Sequence, residues 1–406
     1  MNEKIYKRKI TDEIVSYFDT DNIIVLHGSR QVGKTHILYY LADLLKKQNK
    51  KIIFIDLEDG RFVELLDSGI DKFINFLEGE GIDKSRKTYV FIDEIQYLAN
   101  PSPFLKLVSD HHKYLQLILS GSSSFNIKKK FTDTLVGRTV DFEIYPLDFS
   151  EFLDFKGIQI DLQTKSAIHA SRLKELFREY ILYGGYPKIV LEDEIARKEK
   201  YLGQIVNTYL KRDIHDLAQI KQVQKFNRML KLLAESSGNL LNIAEISQTC
   251  GLARETVENY LFILENTYII KLLPVFSYKA KVEVVKTPKI FFYDTGLLQT
   301  VWLRNLTGNI LGNMFETSVF SQLIKKYQVD KIYFWRTKRG QEIDFVVLNK
   351  QEILPIEAKL NFRHVNRSAL ITFCRKYKVK QGAVVGLEGE KKTAQDLWPW
   401  EINNLM

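Results

Sequence analysis

Gly28-Ser29-Arg30-Gln31-Val32-Gly33-Lys34-Thr35 follows directly on the apolar run Asn22-Ile23-Ile24-Val25-Leu26-His27. The spacing G-x-x-x-x-G-K-[ST], set between a strand and a helix, is that of a phosphate-binding loop. Phosphate is a compact multiple anion. Gly28 and Gly33 let the backbone bend so that the N–H groups of Ser29, Arg30, Gln31 and Val32 point at it, and the helix beginning near Lys34 adds its positive end. Lys34 is expected to reach the β- and γ-phosphates, and the Thr35 hydroxyl to bind Mg²⁺.

A second strand, Tyr89-Val90-Phe91-Ile92, ends in Asp93-Glu94. Two carboxylates at a strand tip complement the loop. Asp93 is expected to hold Mg²⁺ through water, and Glu94 to orient and deprotonate the attacking water. The strand at 115–120 runs into Gly121-Ser122-Ser123-Ser124. There the Ser122 hydroxyl is either a sensor of the γ-phosphate or part of a plain turn. Arg138, in Leu135-Val136-Gly137-Arg138-Thr139, is either a surface arginine or a finger that neutralises transition-state charge. The second reading implies a homo-oligomer.

Apolar strands at 22–27, 51–57, 88–93 and 115–120 alternate with helical stretches, the pattern of buried parallel strands. The expected fold is α/β, with ligand at the carboxyl ends of the strands. The chain of 406 residues is long enough for two or three domains. Residues 1–147 read as the nucleotide-binding core, opening on a short amphipathic helix within residues 1–20. Residues 148–235 read as a helical lid, and 236–279 as a winged helix-turn-helix with helices at Ile243–Cys250 and Ala253–Asn266 around Gly251. Residues 280–406 read as a further α/β domain.

No apolar run approaches the roughly 18 residues that span a bilayer, and the start of the chain lacks a signal-peptide pattern. The two cysteines, Cys250 and Cys374, form no metal or disulfide pattern. A cytoplasmic protein without a membrane partner is expected. The net charge is +9, and residues 281–406 hold 20 Lys+Arg against 12 Asp+Glu. An excess of +8 in that segment points to an anionic partner there, nucleic acid foremost, or to a well-solvated surface.

Three C-terminal segments carry chemistry. Glu316 lies in the helical stretch Gly312-Asn313-Met314-Phe315-Glu316-Thr317-Ser318-Val319-Phe320, Asp344 at a turn entering a strand in Arg339-Gly340-Gln341-Glu342-Ile343-Asp344, and Glu357 and Lys359 on one face of the strand Leu354-Pro355-Ile356-Glu357-Ala358-Lys359. If the two strands pair as a hairpin, Asp344 joins that face. Glu316, Asp344 and Glu357 are hard oxygen donors suited to Mg²⁺, and Lys359 can stabilise a developing anion. That chemistry cleaves phosphodiesters. A helix from His364 to Tyr377 is expected to follow.

This ordered set resembles the core of the restriction-endonuclease-like PD-(D/E)XK superfamily, with Ile343-Asp344 in place of the Pro-Asp dipeptide. The chain as a whole resembles the prokaryotic AAA-like P-loop ATPases that pair an N-terminal ATPase with a C-terminal nuclease-like domain. Further markers are Phe91-Ile92-Asp93-Glu94-Ile95-Gln96, Gly137-Arg138, Pro146-Leu147-Asp148-Phe149-Ser150-Glu151-Phe152, Gly184-Gly185-Tyr186-Pro187 and Phe292-Tyr293-Asp294-Thr295-Gly296. The resemblance implies ATP as the nucleotide, an adenine contact at Gly184, Gly185 and Pro187, and the finger role for Arg138. Together with the charge and the acidic cluster, the expected function is an ATPase acting on DNA with Mg²⁺ through a nuclease-like domain, or a regulator whose C-terminal domain binds nucleic acid or protein without cutting. Arg254 stands against Glu255, Glu258 and Glu265 on the Ala253–Asn266 helix. Phosphates would be repelled there, which favours a connector over a groove reader.

Overall fold

The computed structural model describes residues 5–121, 135–163, 166–208, 222–278, 287–303, 308–350 and 352–405. Two compact units make up the chain, Met1–Tyr145 and Pro146–Met406.

The first unit is built on β1 (Ile23–His27), β2 (Lys51–Asp56), β3 (Thr88–Asp93), β4 (Leu115–Gly121) and β5 (Thr139–Glu143). All pairings are parallel, in the order β2-β3-β4-β1-β5. This is the P-loop NTPase fold. β1, β3 and β4 are buried along their whole length, as their unbroken aliphatic runs require. Helices Lys34–Lys47, Gly60–Asp67, Ile70–Gly79 and Pro101–His111 alternate with the strands, and Phe73, Leu77 and Leu105 join Ile55, Ile92 and Leu119 in one apolar core. Leu26 pairs with Ser120, His27 with Gly121 and Asp56 with Asp93. The carboxyl ends of these strands therefore share one edge. The amphipathic helix expected within residues 1–20 covers Ile10–Val15.

The second unit opens with helices Phe149–Phe155, Ala167–Tyr183, Pro187–Val190, Ile195–Ile205 and Val223–Glu235, followed by Ile243–Cys250 and Arg254–Asn266. Gly251 stands between the last two in the left-handed region at φ 63°, where glycine carries no Cβ penalty. β6 (Ile270–Leu273) then pairs antiparallel with β7 (Lys289–Phe292). After helices Thr295–Leu303 and Gly312–Lys326 come β8 (Ile332–Arg336), β9 (Glu342–Asn349) and β10 (Glu352–Ala358), helix Ser368–Tyr377, β11 (Ala383–Val385) and β12 (Asp396–Leu397). The sheet order is β12-β11-β10-β9-β8. β8, β9 and β10 form an antiparallel meander, while β10, β11 and β12 run parallel.

Several sequence markers resolve into packing within this unit. Asp148 and Glu151 form a reciprocal cap on the Phe149–Phe155 helix: the Glu151 N–H donates to Asp148 Oδ1 at 2.8 Å, and the Asp148 N–H to Glu151 Oε2 at 3.2 Å. Phe149 sits in an aromatic cluster with Phe152, Phe177, Tyr180 and Trp400. Its N–H donates to Gln322 Oε1 at 3.1 Å. Lys325 Nζ donates to the Leu147 carbonyl at 2.8 Å and to Tyr180 Oη at 3.0 Å, so buried polar groups tie the first helices of the unit to Gly312–Lys326.

Gly184-Gly185 and Asp294-Thr295-Gly296 interlock. The Gly185 N–H donates to Asp294 Oδ2 at 2.7 Å, and its carbonyl accepts from the Leu147 N–H at 2.7 Å. A Cβ on Gly184, whose φ is +76°, would fall 2.2 Å from the Asp294 carboxylate, and one on Gly296 would fall 2.2 Å from the Tyr183 carbonyl oxygen. Gly184→Ala should therefore destabilise the second unit by about 2 kcal/mol or more. Gly203, inside the Ile195–Ile205 helix, would meet nothing within 4 Å, and Gly203→Ala should be neutral or stabilising by up to about 1 kcal/mol. Denaturant unfolding of the two variants checks the contrast.

Candidate functional site

The loop after β1 is shaped by close packing. A Cβ on Gly28 would lie 2.1 Å from the Ile144 carbonyl oxygen, and the Ile144 N–H donates to the His27 carbonyl at 2.7 Å. Only glycine fits against that backbone. Gln31 and Gly33 take left-handed conformations at φ 64° and 93°, which turn the chain into the Lys34–Lys47 helix. Ser29 and Val32 are buried, Arg30 and Gln31 are exposed, and Thr35 is half-buried. The Val32 carbonyl accepts from Arg8 Nη1 at 2.9 Å, while Arg8 Nη2 donates to the Tyr145 carbonyl at 2.9 Å. Arg8 thus braces the loop from the N-terminal segment, a role with no motif to betray it in the sequence.

Lys34 Nζ donates to the Gly28 and Ser29 carbonyls at 3.1 and 2.9 Å. Burial pulls this ammonium down to about 8, against the opposing pull of the Glu94 and Asp93 carboxylates, and Arg30 lowers it further. Asp93 is buried at the tip of β3. Its Oδ1 accepts from the Glu94 N–H at 3.1 Å and from the Ser120 hydroxyl. Glu94 is held at φ 57°, and Gln96 Nε2 donates to its Oε2. Burial raises the Glu94 carboxyl, with Lys34 opposing, the direction that suits a general base. The Thr35 hydroxyl and Asp93 carboxylate are hard oxygen donors of the kind Mg²⁺ takes, so the residues fit that ion.

Two expected residues are not brought to the loop among the described residues. Ser122 lies outside the described residues, and the strand-tip hydroxyl that reaches Asp93 belongs to Ser120, fully buried on β4. Its signal was available: Ser120 ends the apolar run beside the Asp93 tip. Arg138 pairs with Asp110, at 2.8 and 3.2 Å from its two oxygens. The Arg138 carbonyl accepts from the Ile23 N–H at the start of β1, while the phosphate loop follows the end of that strand. At about 3.3 Å per residue the two ends lie roughly 16 Å apart, so any finger role is for the loop of another copy. β5 itself was missed because only Phe142 in it is buried.

In the second unit Asp344 lies near the start of β9, just after the turn, as expected, and the expected hairpin forms, with Ile356 opposite Phe345. Asp344 Oδ2 accepts from the Ala358 N–H at 2.9 Å and from Lys359 Nζ at 3.1 Å. Lys359 Nζ also lies 3.0 Å from Glu357 Oε1 and 3.8 Å from Glu316 Oε1. All four expected residues thus converge. A fifth, unforeseen, is Lys289 on β7. Its side chain is 2% exposed, with Nζ 2.5 Å from Glu342 Oε1 and 3.4 Å from Asp344 Oδ1. A lysine heading a strand reads as surface in sequence; only the fold shows it buried. As arranged, the acids are interleaved with two ammonium groups. Among the described residues, no three or more His, Cys, Asp or Glu side chains are grouped to hold a metal ion. The arrangement does not fit a divalent cation.

Gly184 and Gly185 are buried in the second unit with their amides used by Tyr180 and Asp294, and Pro187 opens the short Pro187–Val190 helix. Packing accounts for both glycines without a ligand.

Burial, and then the nearby Asp344 charge, push the Glu316 carboxyl up to about 8, and the same causes push Glu357 to about 7, with the lysines opposing. A raised carboxyl keeps its proton in the folded state after the unfolded chain has lost it. Stability from this group is full below about 4.5 and falls as pH rises through about 8. Glu316→Gln, which mimics the protonated form, should match wild type near pH 4.5 and exceed it at pH 8 by on the order of 4 kcal/mol. Thermal unfolding across that range checks the sign.

Residues 20–153 match a sequence model described as an AAA domain. Residues 174–309 and 311–405 match two domains of unknown function, DUF8612 and DUF4143. An uncharacterized protein of Methanocaldococcus jannaschii is 27% identical over 367 residues, spanning 88% of this chain and 78% of its own. An uncharacterized protein of Haemophilus influenzae is 27% identical over 362 residues, 87% and 86% of the two chains. Among solved structures, the Walker-type ATPase of Pyrococcus abyssi is 15% identical, covering 74% of this chain and 97% of its own at a TM-score of 0.48. With its phosphate loop, Asp93 and Glu94 brought together on the parallel sheet, the N-terminal third is an AAA-type ATPase domain and the protein is an ATPase.

Proposed function

We propose that ATP turnover at Gly28–Thr35 controls a nuclease-like C-terminal domain that engages DNA. The observation that carries this reading is the convergence of Glu316, Asp344, Glu357 and Lys359 in a fold with a helix, three antiparallel strands, a helix and a parallel strand in succession. That order supports the restriction-endonuclease-like reading of residues 280–406. The excess of +8 from 281 to 406 supports a polyanionic partner.

In the ATPase domain, Lys34 and the loop amides bind the triphosphate, Thr35 and Asp93 hold Mg²⁺, and Glu94 takes the proton of the attacking water. Arg138, at the far end of β1, serves a neighbouring copy in a homo-oligomer. Residues 236–279 act as a winged-helix connector. Arg254 Nε is 2.9 Å from Glu258 Oε1, so the one basic side chain at the start of that helix is already paired.

A second reading is favoured by the lysine pairing of the acidic cluster: the C-terminal domain binds nucleic acid without cutting it, and ATP sets its conformation. Both readings share the ATPase assignment. Lys34→Ala should abolish ATP turnover, and Glu94→Gln should bind ATP while lowering turnover by at least about 100-fold. Full turnover in both variants contradicts the site. Duplex DNA binding should weaken steeply and log-linearly with salt; metal-dependent cleavage lost in Asp344→Ala selects the first reading, and binding without cleavage the second.

A further inference from the structure

We propose that Lys289 stands in for a divalent cation at the Glu316–Asp344–Glu357 cluster, so that the site takes metal only when this lysine is withdrawn. The inference rests on reading the cluster as nuclease-like, and it explains why acids of the right type and order are not grouped as metal ligands.

The cluster's connectivity carries the argument. Asp344 is the shared carboxylate. One oxygen faces Lys289 at 3.4 Å; the other takes Lys359 at 3.1 Å and the Ala358 N–H at 2.9 Å. A metal needs an open carboxylate oxygen, and both are engaged. The two lysines differ in origin. Lys359 follows directly on β10, the strand that carries Glu357, and it is about one-third exposed. Lys289 arrives from β7, which pairs with β6 and not with the five-stranded sheet, and it is almost fully enclosed. It also reaches Glu342, the acid two residues before Asp344 on the same face of β9.

An independent observation points to a missing ligand. Among the described residues Glu357 Oε2 is buried without a hydrogen-bond partner, while its Oε1 is held by Lys359. A buried carboxylate oxygen left bare is costly unless the group is protonated or completed by a cation. Lys289 lies on the Glu342 side of Asp344 and leaves this oxygen unserved. Because strand side chains alternate with a period of two, a one-residue slip of β7 against β6 would turn Lys289 to the opposite face. The cluster would then present Asp344 and Glu357 together without that ammonium.

The test uses Mn²⁺ alone as the probe, titrated calorimetrically into the full-length, nucleotide-free protein at pH 7.5. Wild type should bind weakly, and Lys289→Arg, which keeps the charge, should do the same. Lys289→Gln and Lys289→Met should bind at least tenfold more tightly, and adding Asp344→Asn should remove the gain. The glutamine keeps a polar contact to Glu342 should the methionine variant fail to fold. Tight wild-type binding that is abolished by Asp344→Asn overturns the role of Lys289 while leaving the nuclease-like reading intact, and it needs no lysine variant. Absence of binding in folded Lys289→Gln overturns both. Equal affinity in Lys289→Arg and Lys289→Gln overturns the cation replacement.

Discussion

Five parallel strands that end along one edge are the constraint on which the nucleotide site depends. The phosphate loop leaves the end of β1, Asp93 and Glu94 stand at the end of β3, and Ser120 lies at the end of β4 between them in the sheet order. The three strand ends are far apart in the chain. Sheet register alone brings them into range, and Gly28 fits because the backbone after β5 leaves no room for a Cβ. The chemistry follows from enclosure: burial lowers the Lys34 ammonium and raises the Glu94 carboxyl, so each group is tuned by the loss of water and by the charge of the other.

The second unit is organised by backbone close to backbone. Gly184, Gly185 and Gly296 let two chain segments meet around the buried Asp294, and Leu147 is tied to the same region by its hydrogen bonds to Gly185, Tyr180 and Lys325. Segments read in the sequence as a lid, a connector and a C-terminal domain all fall within residues 146–406. A change at the helix start Asp148–Glu151 is felt by Gln322 and Lys325 on the helix that also carries Glu316. This physical continuity gives the acidic cluster a rigid support.

Much of this was legible in the sequence, for reasons that differ by element. β1, β3 and β4 were visible because strands buried on both faces must be apolar throughout, and the edge strand β2 because its centre, Ile52-Ile53-Phe54-Ile55, is an unbroken apolar run. The β9–β10 hairpin and the four residues Glu316, Asp344, Glu357 and Lys359 were visible because strand period and residue order put them together. β5 was not, since a half-exposed edge strand has no such run. The pairing of Gly185 with Asp294 spans 109 residues and has no local signature, although the Asp148-x-x-Glu151 cap does. Arg8 and Lys289 were invisible for a common reason. Long cationic side chains read as solvated surface, and burial becomes acceptable only once carbonyl or carboxylate partners from distant segments are in place.

The proposed function couples two chemistries in one chain. The most direct measurement is the steady-state ATP turnover of the full-length protein as duplex DNA is titrated in at low salt. Turnover that rises several-fold and saturates over the range in which DNA binds is the predicted result. Turnover that stays flat while DNA binding goes to saturation would contradict it.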